Sequence, residues 1–185
     1  MPFLESDEMT IYFLRHGSAG QSMSNPTQDE KRPLDEEGEQ QCAMMGSLLA
    51  AMQVELDEVL TSPLKRAEQT ASLTCNAMGF EGQLQVVDEL RPEAEFPDFR
   101  ALLQKHKKAQ AIMVVGHNPS LSAFLSLLLS RGENDSCVAL KKGAVARVEL
   151  DGRKNAELSW CVTPKLLRAA YDSVGTSSRP KSSRK

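Results

Sequence analysis

Hydrophobic positions change period along the chain, and the changes mark out strands alternating with helices. Thr10-Ile11-Tyr12-Phe13-Leu14 is a short apolar run with β-branched and aromatic residues, the pattern of a buried strand over 9–14. Ala111-Ile112-Met113-Val114-Val115 is apolar throughout, as a parallel strand covered on both faces requires. Val59-Leu60-Thr61 and Leu84-Gln85-Val86-Val87 read as shorter strands. Behind Asp35, which suits a helix N-cap, apolar side chains at Cys42, Met45, Leu48, Leu49 and Met52 fall at helical spacing. Ser62-Pro63 offers an N-cap followed by proline at the first helical position, opening a helix through Leu64, Ala67, Ala71 and Leu73 to Met78-Gly79. Further helices are expected over Pro97 to Lys108 and through Leu121, Phe124, Leu125, Leu128 and Leu129. Ala144 to Leu150 and Ala156 to Val162 alternate like paired antiparallel strands turning at Asp151-Gly152, and Pro164 to Tyr171 reads as a last short helix. Residues 18–33 and the stretch from Asp88 to Phe96 lack periodicity and read as loops; one as long as the first is often functional.

This alternation predicts an α/β fold, a three-layer α/β/α sandwich whose sheet is mostly parallel with a late antiparallel hairpin. The 185 residues suit one domain, placed at 9–171. Residues 1–8 form an acidic leader expected to be flexible, and 172–185 a basic tail, poor in apolar residues and expected to be disordered.

Composition narrows the class. Net charge is −3, with 41% hydrophobic and 25% charged residues, ordinary for a soluble globular chain and unlike a basic nucleic-acid binder. No apolar run reaches the length of a membrane span, and the acidic start does not resemble a secretory signal, so no membrane or nucleic-acid partner and a cytoplasmic setting are expected. Cys42, Cys75, Cys137 and Cys161 are scattered with no Cys-x-x-Cys pair, which argues against structural zinc and a redox pair; reduced, partly buried thiols are expected.

Candidate chemistry sits at three strand-to-helix junctions: Leu14-Arg15-His16-Gly17, Ser62-Pro63 with Arg66-Ala67-Glu68-Gln69-Thr70, and Gly116-His117-Asn118-Pro119. Singly, each has an ordinary reading: a strand end and turn, a solvated helix arginine, a histidine bonded locally. In a parallel sheet, however, all three lie at the carboxyl edge, where open α/β folds bind ligands. Arg15 and Arg66 would clamp phosphoryl oxygens with planar multidentate donors. Like-charge repulsion from them would hold a nearby imidazole neutral and nucleophilic. His16 could then attack phosphorus, and His117 could donate to the equatorial oxygens. No metal or other cofactor is required, and no Walker loop or carboxylate cluster suggests one. His106, in Lys105-His106-Lys107-Lys108, reads as solvated surface.

Together these three blocks resemble the histidine phosphatase superfamily, the phosphoglycerate-mutase-like fold, over roughly residues 9–170. Arg32-Pro33-Leu34 before the first helix, Gly38 after it and the small size are similar to the SixA-type phosphohistidine phosphatase branch. The resemblance implies a metal-independent phosphatase working through a covalent phosphohistidine on His16, with Arg15, Arg66 and His117 completing the phosphate pocket and with Asn118 and Ser62 as further substrate-binding candidates. Many members carry an acidic general acid in the segment matching Asp88-Glu89-Leu90-Arg91-Pro92-Glu93; here Pro92 stands at the expected place, leaving Glu89 or Glu93. Phosphohistidine tolerates a missing acid because it leaves as imidazole. The short connection from Gly79 to Ala111 leaves little room for a lid, so an open pocket for a phosphorylated protein such as a phosphotransfer domain is expected, on a monomeric enzyme. Two alternatives stand beside this: a phosphatase for a small phosphate ester, and a non-catalytic phosphate-binding module.

Overall fold

The computed structural model describes residues 8–151 and 155–176. Six strands form one sheet: β1 (Met9–Arg15), β2 (Glu58–Thr61), β3 (Leu84–Val86), β4 (Ala111–Gly116), β5 (Val145–Asp151) and β6 (Asn155–Val162), in the order β3-β2-β4-β1-β5-β6. β3, β2, β4 and β1 run parallel; β5 is antiparallel to β1 and β6 antiparallel to β5. The expected mostly parallel sheet with a late hairpin is what forms. Its turn at Asp151-Gly152, residues 1–7 of the leader and residues 177–185 of the tail lie wholly or partly outside the described residues.

Among the described residues six α-helices flank the sheet: α1 (Pro26–Glu30), α2 (Glu36–Ala51), α3 (Lys65–Met78), α4 (Phe96–Lys105), α5 (Ser120–Leu129) and α6 (Pro164–Thr176). Strand alternation divides the core in two. Ile11 and Phe13 of β1, with Ile112 and Val114 of β4, face α4 and α5 and pack on Phe99, Leu102, Phe124 and Leu125. Tyr12, Leu14, Met113 and Val115 face α2 and α3 and pack on Met45, Leu49, Ala67 and Ala71. Period-2 alternation on a sheet covered on both sides therefore produces the three layers.

Several local expectations change. The segment 18–33 contains α1, where Asn25 accepts from the amides of Thr27 and Gln28 and Pro26 opens the turn. A five-residue helix is too short to show a period, and its cap is the only local sign. Asp88–Leu90 makes a 3-10 turn inside the second expected loop. α3 starts at Lys65, with Leu64 as a cap that makes no side-chain bond. Ser62 is therefore not its N-cap, and Pro63 lies before the helix rather than at its first position. α4 begins at Phe96 under a reciprocal cap between Glu95 and Asp98. α6 runs on to Thr176, five residues into the expected tail. His106 is not a freely solvated side chain: its Nδ1 meets Glu58 Oε2, which carries β2 and α4 together. Cys42 and Cys75 are buried free thiols; Cys137 and Cys161 are exposed rather than partly buried.

Candidate active site

Sheet register brings the three sequence blocks together. Arg15 pairs with Gly116 across β1 and β4, and Thr61 pairs with Val115 across β2 and β4. All three strands therefore stop at the same level. Beyond the last ladder positions the His16 amide donates to Gly116 O (3.0 Å) and the Ser62 amide to Val115 O (2.9 Å). Backbone pairing thus sets His16, Ser62 and His117 side by side. The His16 and His117 rings lie 5.0 Å apart between centroids, tilted by 50°.

His16 has a defined tautomer. Its Nδ1 lies 2.7 Å from Gly17 O, a carbonyl that can only accept. Nδ1 therefore carries the proton, and the lone pair is on Nε2, the nitrogen free to attack. Gly17 in turn donates its amide to Thr70 Oγ1 (3.1 Å), and Thr70 Oγ1 donates to Arg66 O (2.7 Å), tying the loop after β1 to the first turns of α3. Burial pushes the His16 pKa down to about 3; Arg66, Arg15 and Lys142 add to the shift, and the Gly17 bond opposes it. His117 is pushed down to about 2, again by burial first and then by His16, Arg66, Arg15 and Arg32. The neutral imidazole expected from cationic neighbours is present, but loss of solvent is its larger cause.

The arginines are aimed by backbone and by α1. Arg15 Nη1 donates to Leu140 O (2.8 Å). Arg66 Nη1 donates to Asp29 O (2.8 Å) and lies 3.2 Å from Asp29 Oδ2. Asp29 also pairs with Arg32 Nε (2.9 Å). The bond from Arg32, the Met23 amide and the nearby Arg66 charge hold the Asp29 carboxyl down at about 2. Four buried side-chain nitrogen or oxygen atoms lack a hydrogen-bond partner among the described residues; three are Arg15 Nε, Arg66 Nε and His117 Nδ1. Unmet donors cost free energy when buried, and their gathering in one cluster of cations suits an anion with several acceptor oxygens.

Ser62 and Asn118 have clear places. Ser62 Oγ lies 2.8 Å from His117 Nε2 and accepts a longer contact from the Leu64 amide (3.4 Å). A serine hydroxyl donating to Nε2 goes with a His117 proton on Nδ1, the ring nitrogen without a partner among the described residues. Asn118 is engaged at both ends, donating to Leu140 O (3.0 Å) and accepting from Ser122 Oγ (2.8 Å). It steadies the same carbonyl that Arg15 holds. Glu89 and Glu93 make no hydrogen bond or ion pair with His16, His117, Arg15 or Arg66 among the described residues. Glu89 is paired with Lys105 (2.8 Å), and that bond keeps its carboxyl below the usual range, the reverse of what a proton donor needs. Glu93 stands exposed, 3.9 Å from Arg91.

Sequence reasoning missed Asp29 and Asp35. Asp35 caps α2 through the Gly38 amide (2.8 Å) and, through its other oxygen, accepts from Ser18 Oγ (2.8 Å) and the Gly20 amide (2.8 Å). One carboxylate thus fixes both the helix and the loop after His16. Its cap role was legible; its second role depends on a fold-back that no local pattern encodes. Gly38 permits that approach, since a Cβ there would lie 2.0 Å from Ser18 O.

The sequence model of the histidine phosphatase superfamily (branch 1) matches residues 11–102, the stretch holding His16 and Arg66. The chain belongs to the histidine phosphatase superfamily. Its six-stranded sheet and flanking helices are the phosphoglycerate-mutase-like fold, and its chemistry is that of a phosphatase of the histidine phosphatase type. Phosphohistidine phosphatase SixA of Escherichia coli (strain K12) is 29% identical over 164 residues, covering 88% of this chain and 98% of that one. The structure of the protein histidine phosphatase SixA complexed with tungstate superimposes with a TM-score of 0.76 at 28% identity, over 86% of this chain and 99% of that chain. The alpha-ribazole phosphatase of Shigella flexneri shares the fold, with a TM-score of 0.69 at 19% identity over 84% and 97% of the two chains. No helix among the described residues is long and apolar enough to cross a membrane.

The buried histidines predict an acid weakness. Unfolded imidazoles titrate near 6.5, whereas His16 and His117 take up protons only near 3 and 2 in the fold. Above pH 6.5 neither state binds these protons. As pH falls below 6.5 the unfolded chain binds up to two that the native chain refuses, so stability drops by up to about 1.4 kcal/mol per pH unit for each histidine. Urea midpoints at pH 7.5 and 5.0 should differ clearly, and His117→Phe should reduce the difference. The Asp29 contribution is lost only below its unfolded value of 3.8, outside that interval.

Proposed function

We propose that this histidine phosphatase removes the phosphoryl group from phosphohistidine in a protein, through a covalent phosphohistidine on His16. The observation that carries the proposal is the pairing of an unprotonated, oriented Nε2 on His16 with a carboxylate-poor site: Glu89 and Glu93, the acid candidates, are both turned to other partners. In the first step His16 Nε2 forms a bond to phosphorus as the substrate P–N bond breaks. A substrate imidazole protonated on its other ring nitrogen departs neutral, so no carboxylic acid has to supply a proton. Arg15 and Arg66 neutralise the transferring oxygens, and His117 donates from Nδ1. Water then attacks phosphorus, the bond to His16 breaks, and inorganic phosphate forms with His16 restored. The likeness to SixA over nearly the whole of that protein supports the substrate class.

A phosphotransfer domain phosphorylated on histidine should lose its phosphate on incubation with the enzyme at a kcat/KM well above that for sugar phosphates or nucleotides. Faster turnover of small esters would replace the proposal with the second reading. Glu89→Gln and Glu93→Gln are each expected to change kcat on phosphohistidine by less than about threefold, because neither group donates a proton. A loss of a hundredfold in either would assign that carboxylate as the acid.

A further inference from the structure

A second cationic surface adjoins the histidine–arginine cluster. A groove of about 710 Å³ runs between α2, the segment before β5 and α6. Its charged lining consists of Lys141, Lys142, Lys165 and Arg168 against Glu37 and Asp172. All four cations are exposed, and among the described residues none is ion-paired with a carboxylate. The whole chain carries a net charge of −3, so four cations on one groove are a local concentration and not a general excess.

The groove shares a wall with the active site. Gln41, in its lining, accepts from the Ser18 amide (3.0 Å), two residues past the nucleophile. The Gly143 amide donates to both Arg15 O (3.0 Å) and His16 O (3.1 Å). Lys142 is close enough for its charge to disfavour protonation of His16. A ligand held at His16 therefore has Lys142 beside it and the groove with the other three cations adjoining. The proposed phosphoryl chemistry gives the phosphate to Arg15 and Arg66 and leaves these four cations without a part in it. Lysines and arginines at an exposed rim steer and orient an anionic partner, and their effect fades with salt.

We propose that this groove docks an acidic segment of the phosphorylated protein, giving preference to phosphohistidines carried on acidic surfaces. The proposal rests on the phosphohistidine reading above and extends it to the choice of partner. Lys165→Glu/Arg168→Glu reverses charge on α6, away from the catalytic side chains; Lys165→Gln/Arg168→Gln is a milder companion. Two substrates separate the possibilities: a phosphotransfer domain whose phosphohistidine is flanked by acidic residues, and free phosphohistidine. At low ionic strength the charge reversal is expected to lower kcat/KM on the protein by about tenfold or more, through KM, with the glutamine variant in between. Added salt should weaken the wild-type enzyme on the protein and scarcely affect the reversed variant. Turnover of free phosphohistidine should be unchanged in all three. Equal turnover of the protein by wild type and variants overturns the docking groove and leaves the phosphohistidine activity standing. Equal losses on both substrates overturn it too, since the damage is then to the fold or the catalytic site. A wild-type enzyme inactive on both substrates removes the phosphohistidine reading, and the groove's role with it.

Discussion

His16→Ala is expected to lower kcat by about 10⁴-fold or more while leaving the sheet and helices in place. In the proposed mechanism the ring supplies the nitrogen that bonds to phosphorus, and no other group of the cluster is suited to take over. His117 engages its Nε2 with Ser62, and the arginines cannot lose a proton near neutral pH. Burying the imidazole neutral is unfavourable in acid, which offsets the contacts that alanine removes, so the variant should unfold no earlier at pH 5 than the wild type. Radiolabelled phosphoprotein should leave acid-labile label on the wild-type chain after rapid quenching and none on the variant. Label retained by His16→Ala, or activity within tenfold of wild type, would remove His16 from its role.

Arg66→Ala is expected to cost about 10²–10³-fold in kcat, the usual loss when one donor to a developing anion is removed. Arg66 is almost fully buried, its Nε has no partner among the described residues, and its Nη1 is braced on Asp29. The bracing makes a second comparison informative. Asp29→Asn keeps the backbone carbonyl that accepts from Nη1 but removes the carboxylate charge from both Arg66 and Arg32. It should lower kcat by about tenfold, much less than Arg66→Ala, if the carboxylate serves only to orient the guanidinium. Single-turnover kinetics on a phosphohistidine protein will separate the two. An Asp29→Asn loss equal to that of Arg66→Ala would mean that Asp29 itself meets the substrate.

Much of this was readable in the chain because it depends on short-range pattern. Continuous apolar runs gave β1 and β4, helical spacing gave α2 and α5, and the three junctions followed from where those runs stop. That pattern by itself places Arg15, His16, Arg66 and His117 at one edge of the sheet. What escaped reading depends on contacts between segments remote in sequence. Asp29 meets Arg66 across 37 positions, and Ser62 meets His117 across 55. Ser62-Pro63 is an ordinary helix opening by local rules, yet the serine is drawn to an imidazole and the helix starts later. His106, lying among lysines, looked solvated until the fold set Glu58 against it. The cationic groove escaped for the same reason, since its four cations come from two segments separated in the chain by β5 and β6.

The common stopping level of β1, β2 and β4 has a further consequence. A strand advances about 3.3 Å per residue, and sliding by two residues keeps every side chain on its own face. Such a slip would shift His16 by about 7 Å along the strand relative to His117, and would bring either Arg15 to the place of Phe13 or Thr10 to the place of Tyr12. Core packing and the candidate site therefore depend on one and the same register. The shapes of Ile11, Phe13, Ile112 and Val114, matched tooth to tooth against α4 and α5, act as a ruler for atoms they never touch. Substitutions in that layer that conserve volume but alter shape should show first as lost turnover in a protein that still melts normally.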